Sequence, residues 1–438
     1  MRKLRGETLV PGPTQNRLTK TSKIAGVLAS PWAMVLAGLA MRLVVMAFVY
    51  SDQLDPARDH FAFGFEMGRV ARSITSGQGF SSPYPEPTGP TALVAPAYPY
   101  LLAGVFRLFG VYTAASALAI LTLNNLFSAL TCLPVFHVAR LVFGHRAAHW
   151  AGWAWAFFPY AVGIGNIWIW ETSLTTLLLT LLLLATLHLA DSGQLRSWIG
   201  YGLLWGVTVL SNPAVLSVMP FLWIWVWYKN RLQNRRSMAQ IASAAGVFIV
   251  CLFPWLLRNY RVFGRVVLRS NFGLEVLVGN DHDSSQPESA TLLPADNSIE
   301  MAKIRSMGET DYMEEKTTEA LRYLKRHPGR FAEFSVRRFV YTWTGMWGLH
   351  PGWTFDESGV PHVLLYTGIS VLALLGLWRG ISRHRSNVMV LAIVLVFYPL
   401  VYYLTHTDVR YRHPIDPVIV ILAAYGASRQ PQEQVRES

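Results

Sequence analysis

Asp59 and Glu66 lie seven residues apart in the segment DHFAFGFE. On a helix that spacing puts them two turns apart near one face. Phe63, Met67, Val70 and Ile74 form a neighbouring apolar stripe, the pattern of a helix lying on a bilayer with its carboxylates turned toward the protein. A carboxylate held there and partly desolvated can act as general base toward an acceptor hydroxyl or amine. The plainer reading of the same spacing is a solvated polar face. Glu171 stands in NIWIWETSLTT, where a long apolar run begins. An acid at a membrane boundary is expensive unless it faces a cavity or a partner, although a helix N-terminus also favours a carboxylate.

Cationic groups supply the complementary chemistry. Arg258, Arg261, Arg265 and Arg269 follow one apolar span, and THTDVRYRHPIDP brings His406, Arg410, Arg412 and His413 after another. Guanidinium forks match phosphate oxygens bidentately, so these clusters suit a phosphate-bearing lipid; contact with lipid headgroups is the simpler use. Asp281-His282-Asp283 has the form of a metal- and nucleotide-sugar-binding DxD, a short pattern inside a long acidic loop. His137 and His149 fall near a membrane boundary. No HExxH, Walker A loop or GxSxG occurs. Cys132 and Cys251 lie inside expected spans and give neither a disulfide framework nor a CxxC metal site.

The elements that must position these groups are helices in a membrane. The 438-residue chain is 52% hydrophobic and 15% charged, against about 25% charged in soluble domains. Several apolar runs reach the ~20 residues needed to cross the hydrocarbon core. The net charge of +12 is that of basic residues at cytoplasmic helix ends and near lipid phosphates. No basic stripe with interleaved aromatics marks a nucleic-acid groove. Six basic residues (Arg2, Lys3, Arg5, Arg17, Lys20, Lys23) precede the first span, which reads as an uncleaved anchor with a cytoplasmic N-terminus.

Basic-loop parity then predicts ten crossings with both termini inside, over residues 31–50, 113–143, 149–165, 170–190, 197–211, 213–228, 238–257, 362–378, 388–404 and 414–427. Residues 93–108 are apolar enough to cross, but counting them would put KNRLQNRR and RGISRHR outside. Pro96 and Pro99 also weaken a continuous helix there, so this stretch is expected to lie on or dip into the outer leaflet. The result is an all-α polytopic membrane fold, residues 1–427. An outer loop platform (51–112) and an outer polar segment (258–361) carry the juxtamembrane helices, and a disordered cytoplasmic tail (428–438) ends the chain. Residues 281–319 hold ten of the 26 acidic residues; helices are expected over 314–327 and, as an interfacial element, over 331–347.

In their order these pieces resemble the GT-C superfamily of integral-membrane glycosyltransferases, nearest to bacterial enzymes related to protein O-mannosyltransferases and lipid A aminoarabinose transferases. The resemblance covers nearly the whole chain. It is carried by the first-loop Asp59, GQGF with PAYPYLLAGVFRLFG, LVFGHRAAHWAGWAWAFFPY, PWLLRNYRVFG with SNFG and GN, and RYRHPIDP. It departs at His60, where family members often have an acidic or aromatic residue, and at Ala95-Pro96-Ala97-Tyr98-Pro99 in place of a PPxYP-like element.

The resemblance implies transfer of a sugar from a polyprenyl-phosphate carrier to an acceptor on the outer face. Asp59 is then the general base, with Glu171 as the second acidic position and Glu66 beside them. Donor binding falls to Arg258, Asn259, Tyr98, His406, Arg410, Arg412 and His413. No metal or cofactor is required, and the partners are the lipid-linked donor, an unspecified acceptor and membrane lipids. The short loops suit a bacterial inner membrane. A transporter or lipid flippase, or an inactive sugar-lipid binding protein, are the competing classes; a transporter would show broken helices in repeated halves and charges at mid-membrane.

Overall fold

A computed structural model describes residues 29–51, 63, 65–167, 169–234, 237–280, 292–347, 359–383 and 386–428. The N-terminal basic cluster, Asp59, His60, Asp281-His282-Asp283 and the C-terminal tail from residue 429 lie outside the described residues. Among the described residues the protein is all helical, apart from one isolated antiparallel bridge between Ser81 and Pro90.

In chain order the helices are α1 (Pro31–Phe48), α2 (Phe65–Thr75), α3 (Ala97–Phe109), α4 (Ala114–Leu130), α5 (Cys132–Phe143), α6 (His145–Ala156), α7 (Pro159–Ile167), α8 (Thr172–Leu189) and α9 (Leu195–Ser211). A 3-10 turn, Pro213–Ser217, leads into α10 (Met219–Leu232) and α11 (Met238–Phe263). The polar segment holds α12 (Phe272–Asn280), α13 (Ser298–Met307), α14 (Glu309–Arg326) and α15 (Pro328–Thr344). The chain closes with α16 (Val360–Ser382), α17 (Val388–Phe397), α18 (Leu400–Leu404), α19 (Val409–Arg412) and α20 (Asp416–Ala427).

Among the described residues five helical stretches are long and apolar enough to cross a membrane: Pro31–Phe48, Ala114–Phe143, Thr172–Leu189, Met238–Phe263 and Val360–Ser382. The protein is an integral membrane protein. α3 is apolar but has only 13 residues, about 20 Å at 1.5 Å per residue, short of the ~30 Å hydrocarbon core. α11 runs six residues past its expected end, so Arg258 and Arg261 sit on its last two turns.

Several segments expected as continuous spans are interrupted. Residues 149–165 break between α6 and α7 at Phe157-Phe158, immediately before Pro159, because proline lacks an N–H and disfavours helix in the residue before it. Carbonyls exposed at that break are received by the buried Arg42 of α1. Its Nη1 donates to Ala156 O (2.8 Å), its Nη2 to Trp155 O (3.3 Å) and its Nε to Ser128 Oγ (3.0 Å). In lipid such groups need an internal partner, and Arg42 supplies it. Residues 388–404 break likewise at Tyr398-Pro399, and 213–228 begins as the 3-10 turn.

Small residues let helices pack backbone to backbone, as membrane bundles require. A Cβ on Gly202 of α9 would come within 2.3 Å of Ala244 O of α11, and one on Gly376 of α16 within 2.0 Å of Leu422 O of α20.

One apolar core gathers α5, α6, α8–α10, α17 and α20 around Trp155, Trp205 and Tyr398. A second joins α2, α3, the start of α4 and the polar segment through Met67, Phe106, Leu274 and Tyr312. That second core matters for function, because it docks the first loop on the later polar segment. Arg258 Nη1 and Nη2 donate to Thr91 O and Phe80 O, both at 2.7 Å. Arg269 Nε donates to Leu93 O (2.9 Å) and Ser270 N to Ala92 O (3.0 Å). Buried Glu309 accepts from Thr91 Oγ1, Ala92 N (2.7 Å) and Ser270 Oγ (2.7 Å).

Candidate active site

Three carboxylates meet where these two segments join. Glu66 is in the first turn of α2, Glu171 is the residue ahead of α8, and Glu275 is in the first turn of α12. Two guanidinium groups, Arg269 and Arg410, act electrostatically on both Glu171 and Glu275. Arg410 also acts on Glu66. The charges that look scattered along the chain therefore share one field.

Each member is held by local structure. Arg410 lies on the Trp170 ring, its guanidinium carbon 4.4 Å from the ring centroid, a cation–π contact that carries it to the neighbour of Glu171. Its Nε is 3.5 Å from Asp408, whose other oxygen caps the start of α19. His406 faces Glu275 through Nδ1 (3.3 Å to Oε2) and Tyr411 through Nε2 (2.8 Å to Oη). Asn271 donates to Glu275 at 2.5 Å, and Asn212 to Glu171 at 3.4 Å. Glu171 does not cap its own helix through its side chain. One oxygen each of Glu66 and Glu171 is buried with no hydrogen-bond partner among the described residues.

Burial decides the protonation of this group. It pushes Glu171, just outside the α8 span, up to about 7, the nearby charge of Glu66 adding to the rise while Arg269 and Arg410 oppose it. Burial also raises Glu66 and Glu275 above the ordinary carboxylate range. All three carboxylates are raised by burial, and the charges of Arg269 and Arg410 oppose that rise at Glu171 and Glu275.

Of the residues expected from sequence, Glu66, Glu171, His406 and Arg410 come together. Arg258 and Asn259 take up other partners: the Arg258 fork is filled by main-chain carbonyls and Asn259 Oδ1, and Asn259 donates to Val267 O at 2.7 Å. Arg412 and His413 are buried around Asp416 at 2.9 and 3.1 Å, with Arg412 against the Tyr366 ring and His413 stacked on Trp155. Tyr98 is buried and donates to Asn124 at 2.9 Å. These four polar side chains and Tyr98 thus hold the bundle and the loop together.

Glu275 was not among the candidates. The signal lies in FGLEVLVGN, where one carboxylate stands in an otherwise apolar nine-residue helix, the same costly placement that marked Glu171.

In fold the chain is similar to integral-membrane oligosaccharyltransferases of solved structure. Residues 93–257 match the family model described as dolichyl-phosphate-mannose-protein mannosyltransferase. Among solved structures, the chain is similar to the archaeal oligosaccharyltransferase AglB from Archaeoglobus fulgidus in complex with an inhibitory peptide and a dolichol-phosphate. That likeness has a TM-score of 0.53 at 17% identity, over 93% of this chain and 50% of that one. The A. fulgidus oligosaccharyltransferase tethered to an acceptor peptide with the NVT sequon gives 0.52 at 15% identity, over 90% and 49%. ArnT from Cupriavidus metallidurans in the apo state gives 0.37 at 15% identity, over 88% and 76%. The chain thus spans about half the length of the archaeal enzyme it matches. No curated protein matches the sequence.

Proposed function

We propose that this protein is a glycosyltransferase that moves a sugar from a polyprenyl-phosphate carrier to an acceptor at the outer membrane face. The observation that carries the reading is the convergence of Glu66, Glu171 and Glu275 with Arg269 and Arg410 in a GT-C fold. The dolichol-phosphate held by the archaeal oligosaccharyltransferase supports a lipid-phosphate donor, as does the mannosyltransferase match over residues 93–257.

In this reading the acceptor hydroxyl or amine loses its proton to Asp59 and attacks the anomeric carbon. The bond from that carbon to the phosphate oxygen breaks with inversion, and the bonding pair leaves on the polyprenyl phosphate. Arg269 and Arg410 receive the charge that develops there, preorganised electrostatic stabilisation of the kind that dominates many enzymes. Glu66, Glu171 and Glu275 orient the two guanidinium groups and border the acceptor, while His406 bridges Glu275 and the Arg410 loop. In this reading the chain crosses a bacterial inner membrane ten times with both termini cytoplasmic, and the site faces the outside.

The test is transfer by protein in lipid nanodiscs, with labelled polyprenyl-phosphate hexoses and pentoses as donors and a membrane extract as acceptor. Asp59→Asn is expected to abolish transfer while undecaprenyl phosphate still binds. Undiminished transfer by Asp59→Asn removes Asp59 as base. Binding without transfer by the wild type marks an inactive sugar-lipid binder, and unreacted label crossing a vesicle bilayer marks a transporter.

A further inference from the structure

Glu275 and His406 come from segments about 130 residues apart, and the structure shows what holds them in register. One helical turn beyond Glu275, α12 ends at Gly279-Asn280; one residue before His406, α18 gives way to Thr405. The two backbones touch there. A Cβ on Gly279 would lie 2.0 Å from Thr405 O, so only glycine permits the approach.

Buried carbonyls at such an approach need a hydrogen-bond donor. Arg338 of α15 supplies it. It is 4% exposed. Its Nη1 donates both to Gly279 O (2.7 Å) and to Thr405 O, and its Nη2 to Asn280 Oδ1 (2.8 Å). Asn280 completes the junction by donating to Leu404 O (3.1 Å). A guanidinium at the C-terminal carbonyls of α12 also matches the negative end of that helix. Among the described residues no carboxylate pairs with Arg338; both Nη groups serve the junction, with Nη2 also within 3.4 Å of Ser335 Oγ on its own helix.

We propose that Arg338 is a positioning residue of the site, clamping α12 to the Thr405 loop so that Glu275 faces His406 and Arg410. This inference rests on the transferase reading above. It assigns Arg338 no contact with substrate: it acts through the placement of Glu275, His406 and Arg410.

Three variants test it in the intact protein: Arg338→Met, which keeps length without donors; Arg338→Lys, which keeps charge but not the fork; and Gly279→Ala, which forces the backbones apart from the other side. Hydrogen–deuterium exchange over residues 274–280 and 404–412 reads the clamp. Transfer kinetics from a polyprenyl-phosphate sugar, normalised to folded protein, read its consequence. Arg338→Met and Gly279→Ala are expected to raise exchange in both segments together. They should also lower kcat on the order of 100-fold, the effect of misplacing reacting groups by about 1 Å, with donor KM near wild type and Arg338→Lys between. Unchanged exchange overturns the clamp, and raised exchange with wild-type kcat overturns its positioning role. If Arg338→Met does not fold, Gly279→Ala and Arg338→Lys carry the same test. A wild type that transfers no sugar sinks the transferase reading instead, while joint loosening of the two segments still decides whether Arg338 holds them.

Discussion

Replacing Glu171 by Gln isolates the most strongly argued electrostatic feature of the site. The carboxylate is 6% exposed, keeps one oxygen without a hydrogen-bond partner among the described residues, and is pushed by burial from 4.5 to about 7. The native state therefore holds a proton that the unfolded chain releases. The associated stabilisation is fully present below pH 4.5 and is lost as the pH rises through about 7. At 1.36 kcal/mol per unit, the charged form above that pH costs the native state on the order of 3 kcal/mol. Glu171→Gln keeps the shape and an acceptor for Asn212 and removes this cost. Wild type and variant should be equally stable near pH 4, and the variant more stable by on the order of 3 kcal/mol at pH 8. The direct assay is infrared difference spectroscopy of wild type against Glu171→Gln, following the protonated carboxyl stretch with pH. A midpoint near 7 is expected; a midpoint in the ordinary carboxylate range near 4.5, or a stability difference that does not change with pH, refutes the reasoning.

Three further outcomes follow from the same geometry. Arg410→Met removes one of the two cations assigned to the leaving phosphate and should lower kcat about 100- to 1,000-fold, measured with a polyprenyl-phosphate sugar; a change in KM alone would remove Arg410 from that role. Arg258→Met should act on stability instead, leaving the Thr91 carbonyl without its donor and the Phe80 carbonyl with Thr91 N alone, at a cost of about 1–3 kcal/mol. Its donor KM per folded molecule should match wild type, and a selective rise in KM would return Arg258 to the phosphate. Chelation by EDTA should leave transfer unchanged, because arginines neutralise the leaving group in this mechanism; restoration of a lost activity by added divalent metal would replace that account.

Much of the architecture was legible because lipid imposes a coarse rule. A run such as 172–189, almost wholly Leu, Thr and Ala, has only one stable form in hydrocarbon, a helix. Glu171 was legible for the same reason, since a carboxylate beside such a run needs an explanation. Helix interruptions at Phe157-Phe158 and Tyr398-Pro399 were less so. The prolines are visible in sequence, but a break in a membrane is tolerated only where something receives the freed carbonyls, and Arg42 is 114 residues from Ala156.

The arginines show the limit most clearly. Arg258, Arg269, Arg410 and Arg412 are alike by type and by placement after apolar spans. Chemistry alone therefore assigned phosphate contact to them as a class. Tertiary structure divided them: Arg258 meets main-chain carbonyls, Arg412 meets Asp416, Arg269 meets Leu93 O and Arg410 meets Asp408, and the charges of the last two act on Glu171 and Glu275. Hydropathy and residue type are local properties and settle that the chain is a helical membrane protein with acids and arginines at helix ends. Which acid comes near which arginine depends on segments distant in the chain, Glu66 and Glu171 against Arg410 above all, and only the packing of the first loop against the later polar segment decides it.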